Sequence, residues 1–246
     1  MQTQKDLCLA HPKGGIMNID VLSFGRLAYR VFEEVGQDAR VVLDDEGKNL
    51  VLRKIAGECE KDLKVFKGNL KKQGYISEVK SVLSEFAQYG VDFERLDDFM
   101  KEVPPESYLH YKLDDIRTIY EKFEEYLSEK YITKEEMLDV LSDAVPYSDI
   151  LKGSVVAMDG FTGFTPVQNR LIGELFSVCE KVMITVTMDG RENPYVYEHP
   201  YQIFALGKQM VTSLMKIAGE KKTEIEEPIC LFERPVYRFR DCSEMA

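Results

Sequence analysis

An α/β chain whose parallel sheet is interrupted by an all-helical insertion is what this sequence predicts, and three observations carry the prediction. A short apolar run, IMNIDVL, leads directly into a capped amphipathic helix. About a hundred residues with three-to-four-residue apolar spacing follow. After Pro146, short apolar runs and helical patterns alternate again. The expected divisions are 1–40 for the first α/β part, 41–145 for the helical insertion and 146–246 for the resumed α/β part. Strand, helix and strand in that order imply right-handed crossovers onto a parallel sheet.

Residues 16–22 read as the first strand, because Ile16, Ile19, Val21 and Leu22 are apolar and the Gly14-Gly15 pair makes a turn before them. Ser23 caps the next helix, FGRLAYRVFEEVG, with Leu27, Ala28, Val31, Phe32 and Val35 on one face and Gly36 as its stop. In the insertion, LDDEGKNLVLRKIAGECE, SEVKSVLSEFAQYG, VDFERLDDFMKEV, LHYKLDDIRTIYEKFEEYLSEK and TKEEMLDVLSDAV all read as helices, and none reads as a strand. Breaks fall at GNLKKQGY, at Gly90 and at the PPES turn, while Ser77 and Thr133 are candidate caps with an acidic residue in the first turn. The aromatic series Tyr108, Tyr111, Tyr120, Phe123, Tyr126 and Tyr131 follows helical spacing among acidic neighbours, which favours helix packing over a base-stacking platform. Beyond Pro146, Val155 to Met158 read as a strand, TPVQNRLIGELFSVCE as a helix with Thr165 as cap and Pro166 in its first turn, KVMITVTMD as a second strand ending at Asp189, and YQIFALGKQMVTSLMKIAGE as a last helix.

The 246 residues carry a net charge of −11. Residues 41–145 sum to −8, so a generic nucleic-acid coat is excluded and any contact with DNA is local. No run of 18 apolar residues and no signal-peptide layout is present, and a cytoplasmic location with no membrane partner is the expectation. Cys8, Cys59, Cys179, Cys230 and Cys242 are odd in number and contain no CxxC pair, and His11, His110 and His199 lack metal-ligand spacing. No metal site is expected from them.

The chemistry concentrates in VVAMDGFTGFTPVQ, residues 155–168. Ligands of open α/β sheets sit beyond the carboxyl ends of the strands, which is where Asp159 and Asp189 are expected. Nucleotide hydrolysis needs a glycine-rich phosphate loop with its lysine, a carboxylate for Mg²⁺ and a group to orient or activate water. Here only the carboxylate is present: there is no GxxxxGK[ST], and Gly160 cannot take a proton. Asp159 also reads as a plain strand-end cap for the following loop, and of Phe161 and Phe164 one is expected to pack under that loop and the other to face a ligand.

DGFTGFTPVQ resembles the second motif of superfamily 1 helicases, approximately DEFQDFTPLQ. Asp159 keeps the metal-site aspartate, Gly160 replaces the catalytic glutamate, Thr162 replaces a glutamine, and Phe164, Thr165, Pro166 and Gln168 keep the packing frame. With GGIMNIDVLSFGRLAYRVFEEVG, LDDEGKNLVLRKI and KLDDIRTIYEKFEEYL, the resemblance extends over the whole chain to the AddB family, whose members are subunits of the bacterial AddAB helicase/nucleases. It implies a partial RecA-like domain, the helicase-like 1A domain lacking its first strands, with a 1B-like helical subdomain inserted, as an internal piece of a much longer chain.

The resemblance further implies an AddA-type partner subunit, DNA ends as substrate of the parent complex, resection of double-strand breaks for recombinational repair, and Chi-type recognition of single-stranded DNA. ATP with Mg²⁺ and an iron–sulfur cluster are implied for the full-length family, with neither expected in this part, which is expected to lack catalytic activity alone. Residues of the SFxRLAW/Y motif and of the DGF turn line the family's strand-binding channel; here they are Phe24, Arg26, Tyr29 and Phe161, with Tyr29 where relatives often carry tryptophan. Aromatic faces stack on unpaired bases, and arginine pairs with a phosphate or a base edge. Two other expectations stand beside this one: a nucleotide-binding ATPase whose phosphate loop lies outside these residues, and a module that only contacts other subunits through the acidic insertion. Without the first strands, the sheet is expected to expose unpaired edges and apolar side chains, and the chain to be marginal or to associate with itself.

Overall fold

The computed structural model describes residues 2–36, 40–69, 72–128, 130–189 and 192–231. The chain divides between Ile150 and Leu151 into two compact units. The 1–40 segment therefore groups with the helical residues, because its helix packs on the last helix of the insertion.

In the first unit, α1 (Gln2–Ala10) buries none of its residues. The strand expected at 16–22 does not form. A ladder needs a partner, and no described strand runs beside these residues; Met17 is 99% exposed, and Ile19 and Leu22 are exposed too. α2 (Phe24–Val35) follows as predicted, with the Ser23 side chain accepting from the Arg26 amide and Gly36 closing the helix at φ +70°. Only Ala28 and Val31 of its apolar face are fully buried, in packing against α7 (Glu136–Ala144).

The helical block contains two strands that its sequence did not suggest. β1 (Val41–Leu43) and β2 (Tyr131–Thr133) pair in parallel, from Val41 with Tyr131 to Leu43 with Thr133. Three residues are too few to show an alternating pattern, and the partners lie ninety residues apart. Between them run α3 (Asp45–Cys59), α4 (Gln73–Tyr89), α5 (Phe93–Glu102) and α6 (Tyr108–Leu127). α3 turns Val51, Leu52, Ile55, Ala56 and Cys59 inward, and α6 answers with Leu113, Ile116, Ile119, Tyr120, Phe123 and Leu127. Fully burying one large apolar side chain contributes about 1.5–3 kcal/mol, whereas ordinary helix propensities differ by less than about 1 kcal/mol. Packing therefore decides where these helices lie.

Ser77 is inside α4, which begins at Gln73, so it is not the expected cap. The N-cap of α7 is Glu135 rather than Thr133, although Thr133 makes a reciprocal pair just ahead of it: its hydroxyl accepts from the Glu136 amide and its own amide donates to the Glu136 carboxylate at 2.7 Å. Of the aromatic series, Tyr120 and Phe123 are core, Tyr126 stacks on Tyr131 with Lys54 over its ring, and Tyr108 is 72% exposed. Asp115, 1% exposed on α6, accepts from the backbone amides of Lys64, Val65 and Phe66 at 2.7–2.8 Å and so fixes the connection after α3.

The second unit is a βαβ arrangement. β3 (Val155–Met158) pairs in parallel with β4 (Lys181–Ile184), joined through α8 (Pro166–Val178), and α9 (Ala205–Lys221) packs on α8. A β-carbon on Gly173 would come within 3.2 Å of Ile217, so α8 and α9 approach closely there. Two boundaries differ from expectation. β4 ends at Ile184, leaving Asp189 five residues beyond the strand, and α9 begins at Ala205 rather than at Tyr201. Lys208, 4% exposed, pairs with Glu192 at 2.5 Å and pins the 185–204 connection to α9. Among the described residues no helix is long and apolar enough to cross a membrane.

Candidate functional site

The loop after β3 is set by its flanks. Upstream, Met158 is buried and its carbonyl accepts from the Thr185 amide at 3.0 Å, extending the ladder by one bond. Downstream, Thr165 and Gln168 form a capping box: the Gln168 amide donates to the Thr165 hydroxyl, and the Thr165 amide donates to the Gln168 side chain at 3.0 Å. Two of the four frame residues, Thr165 and Gln168, thus hold the start of α8.

Between these anchors Asp159 is exposed, and the Thr185 hydroxyl donates to its carboxylate at 2.5 Å. The carboxylate reaches across to the end of the neighbouring strand instead of capping its own loop. Thr185 went unnoticed in the sequence because a hydroxyl inside ITVT reads as an ordinary strand position; its alignment with Asp159 comes only from the parallel register Met158 with Ile184. Gly160 adopts φ +81° with open space where a β-carbon would be. That conformation costs a residue with a side chain about 1–2 kcal/mol, so this turn is shaped for glycine. Phe161 and Phe164 are both half-buried and pack on each other, ring centroids 4.9 Å apart, which differs from the expected division into one packed and one free ring. Thr162 is exposed.

In the first unit, α2 carries the other candidates. Arg26, Tyr29, Arg30 and Glu33 are exposed at positions that share one helix face. Tyr29 is 56% exposed, and Arg30 pairs with Asp20. Phe24 is half-buried and lies in line with the inward Ala28 and Val31, on another face from Arg26. Arg26 and Tyr29 thus share the exposed stripe of α2 and Phe24 lies on the packed side of the same helix, while Phe161 belongs to the second unit.

The residues present supply only part of what Mg²⁺-ATP hydrolysis uses: the Asp159 carboxylate is exposed, but Gly160 supplies no base and the chain contains no phosphate-loop lysine motif. Nor do they fit a cluster of iron and sulfur. Cys8, Cys59, Cys179 and Cys230 are free, and among the described residues no three His, Cys, Asp or Glu side chains gather as a metal site. Burial pushes the Cys59 and Cys179 thiols up, away from the thiolate form that ligation needs. Cys242 lies outside the described residues.

A helical unit with a short parallel strand pair, and a βαβ unit with an aspartate turn at its strand end, make this a protein of mixed helices and parallel strands with a polar group at a strand's carboxyl end. Sequence comparison narrows this class. The chain belongs to the AddB N-terminal family, whose model, described as "ADDB, N-terminal", matches residues 1–246. It is 43% identical over 248 residues to the B subunit of the ATP-dependent helicase/deoxyribonuclease of Lachnoclostridium phytofermentans, covering 100% of this chain and 21% of that protein. Proteins of the same name from Clostridium acetobutylicum and Thermoanaerobacter sp. (strain X514) are 32% and 34% identical, each again matched over 100% of this chain and 21% of its own length. The chain spans about a fifth of the length of these curated relatives.

Proposed function

We propose that this chain is a hydrolytically silent, helicase-like part of an AddB protein, with a partial RecA-like scaffold, that grips single-stranded DNA and contributes to Chi-type sequence recognition during resection of double-strand breaks by a helicase/nuclease with an AddA-type partner. The observation that carries this reading is the turn at Asp159-Gly160. Its aspartate is tied to the neighbouring strand by a hydrogen bond and the next position has the backbone of a glycine, which supports a nucleotide-site scaffold lacking the group that would activate water. Family membership supports the parent activity, and the exposed Arg26 and Tyr29 on α2 supply a cation and a ring to an unpaired strand.

The test is fluorescence anisotropy of labelled single-stranded DNA with the full-length protein, in complex with its partner. Arg26→Ala combined with Phe161→Ala is expected to weaken binding by about tenfold or more, since base stacking contributes about 1–3 kcal/mol per base. Unchanged affinity would remove the proposed channel. Phosphate release by the purified full-length protein that disappears with Asp159→Asn would replace it with an ATPase whose phosphate loop lies elsewhere in the protein.

One observation favours a subunit-contact role for the helical unit. Residues 41–145 carry −8, and Tyr108 and Phe99 are largely exposed among them. Such a surface repels phosphate and suits a protein partner. Crosslinks from this unit to the AddA-type partner, with none from Phe161 to DNA, would favour this role over strand binding.

A further inference from the structure

The acidic helical unit contains one basic stretch. KDLKVFKGNLKK, residues 61–72, holds five lysines, one aspartate and no arginine, a net of +4 inside an insertion that sums to −8. It forms the connection from α3 to α4. The unit as a whole repels phosphate, but this connection attracts it.

The connection is held in place by its own contacts. Backbone amides of Lys64, Val65 and Phe66 donate to the buried Asp115 carboxylate at 2.7–2.8 Å, and the Phe66 side chain is 6% exposed. Beyond Phe66, successive turns close the chain: the Asn69 amide donates to the Phe66 carbonyl at 2.9 Å, and the Lys72 amide to the Asn69 carbonyl at 3.0 Å. Gly68, at φ +74°, supplies the left-handed residue between them. A surface whose backbone is already fixed loses little further freedom on binding.

Only part of the charge is neutralised within the fold. Lys64 pairs with Asp114 at 2.9 Å, and Lys72 donates to the Asn69 side chain at 3.2 Å. Lys61 and Lys67 are exposed and, among the described residues, pair with no carboxylate. Lys71 lies outside the described residues. Against these stand Asp62 within the connection and Asp114 beside it, so positive charge is in excess.

The side-chain types say which anion fits. Lysine is a compact, hydrated charge suited to phosphate, whereas a bidentate reading of a guanine edge is best made by arginine, which is missing here. The nearby rings are engaged: Lys64 lies 4.8 Å over Tyr111, Lys72 lies 5.9 Å over Tyr75, and Tyr75 meets Phe66 edge-on at 6.4 Å. Binding of unpaired bases uses open aromatic faces as well as charge. Charge without such a platform matches a duplex, whose bases are already stacked and which carries one phosphate per about 1.7 Å of its axis.

We propose that the 61–72 connection is a sequence-independent contact for the phosphate backbone of duplex DNA. It rests on the reading that the parent protein works on DNA, but it uses none of Arg26, Tyr29 and Phe161, which are assigned to an unpaired strand.

The test uses the full-length protein in complex with its partner, with a labelled blunt-ended duplex and a labelled single-stranded oligonucleotide as probes. Lys61→Gln, Lys67→Gln and Lys72→Gln together are expected to weaken duplex binding by about tenfold or more, and to flatten the slope of log affinity against log salt by about 3, because each lost phosphate contact removes about 0.9. Single-strand affinity is expected to stay unchanged. Lys134→Gln, Lys152→Gln and Lys222→Gln, at exposed lysines elsewhere, remove the same charge and are expected to alter neither. A readout on the unaltered protein stands beside these: Lys61 and Lys67 react with an acylating reagent in the complex and become protected when duplex is added. Unchanged duplex affinity and slope, an equal loss on the single strand or in the control triple, or lysines already protected by the partner subunit before DNA is added would overturn the proposal. Arg26→Ala with Phe161→Ala acts on the single strand alone, so failure of the strand channel and failure of the duplex contact are read separately.

Discussion

At Gly160 the backbone is set for glycine. With φ at +81° a side chain there meets open space but carries a conformational cost. Gly160→Glu is expected to lower unfolding stability by about 1–2 kcal/mol in urea titrations and to yield no phosphate release; release above background from this single change would show that the pocket had kept its other parts. Asp115 is a residue whose importance lies in burial. Its carboxylate holds three backbone amides at 1% exposure, and Asp115→Asn turns one of its acceptor oxygens into a donor. Hydrogen bonds to a charged group contribute about 1.5–3 kcal/mol, so a loss of about 2–3 kcal/mol is expected, against less than about 0.5 kcal/mol for Asp114→Asn on the surface. Nothing in KLDDIRTIY distinguishes these two neighbouring aspartates; only the helix phase and the loop lying over it do.

At the scale of elements, the caps were written in the sequence. Ser23, Gly36, Thr165, Pro166 and Gln168 act locally, within four residues, and each does what its side chain or backbone freedom dictates. The strands were not. IMNIDVL has the composition of a strand and no described partner, whereas VVL and YIT have partners and almost no pattern. α2 is tied to the 145–150 segment by Glu34, whose carboxylate accepts from the Ser148 hydroxyl at 2.6 Å and the Ile150 amide at 2.8 Å. The Ser148 hydrogen bond holds the Glu34 pKa below its ordinary 4.5, outweighing the opposing effect of desolvation. A depressed carboxyl stabilises the fold above its unfolded value, and that contribution is lost as pH falls below about 4.5 and through the folded value. Exchange protection of the Ile150 amide is thus expected to fall on acidification from pH 5 to pH 3. Glu34→Gln should already show the reduced protection at pH 5 and lose this part of the acid dependence.

For the whole molecule, the parallel pair β3–β4 sets the behaviour in solution. Among the described residues neither strand has a second neighbour, and Val155 and Met183 are 57% and 42% exposed. Parallel sheets are ordinarily covered on both faces, and open apolar edges invite pairing between molecules. The 246-residue chain is expected to associate with itself as its concentration rises, seen as an increasing sedimentation coefficient, and Met183→Lys to weaken that association. A monomer at all concentrations with a single cooperative melt would count against it.

By itself the sequence determined the α/β alternation after Pro146, the helical block before it, the glycine at the turn after β3 and the family to which the chain belongs, because all of these reside in local spacing or in residue identity. Tertiary structure decided the rest: that Asp159 meets Thr185, that Asp115 rather than Asp114 is buried, and that 41–43 pairs with 131–133. Each of these joins groups from different elements, and contacts of that kind exist only once the register and packing of those elements have brought the partners within hydrogen-bonding distance.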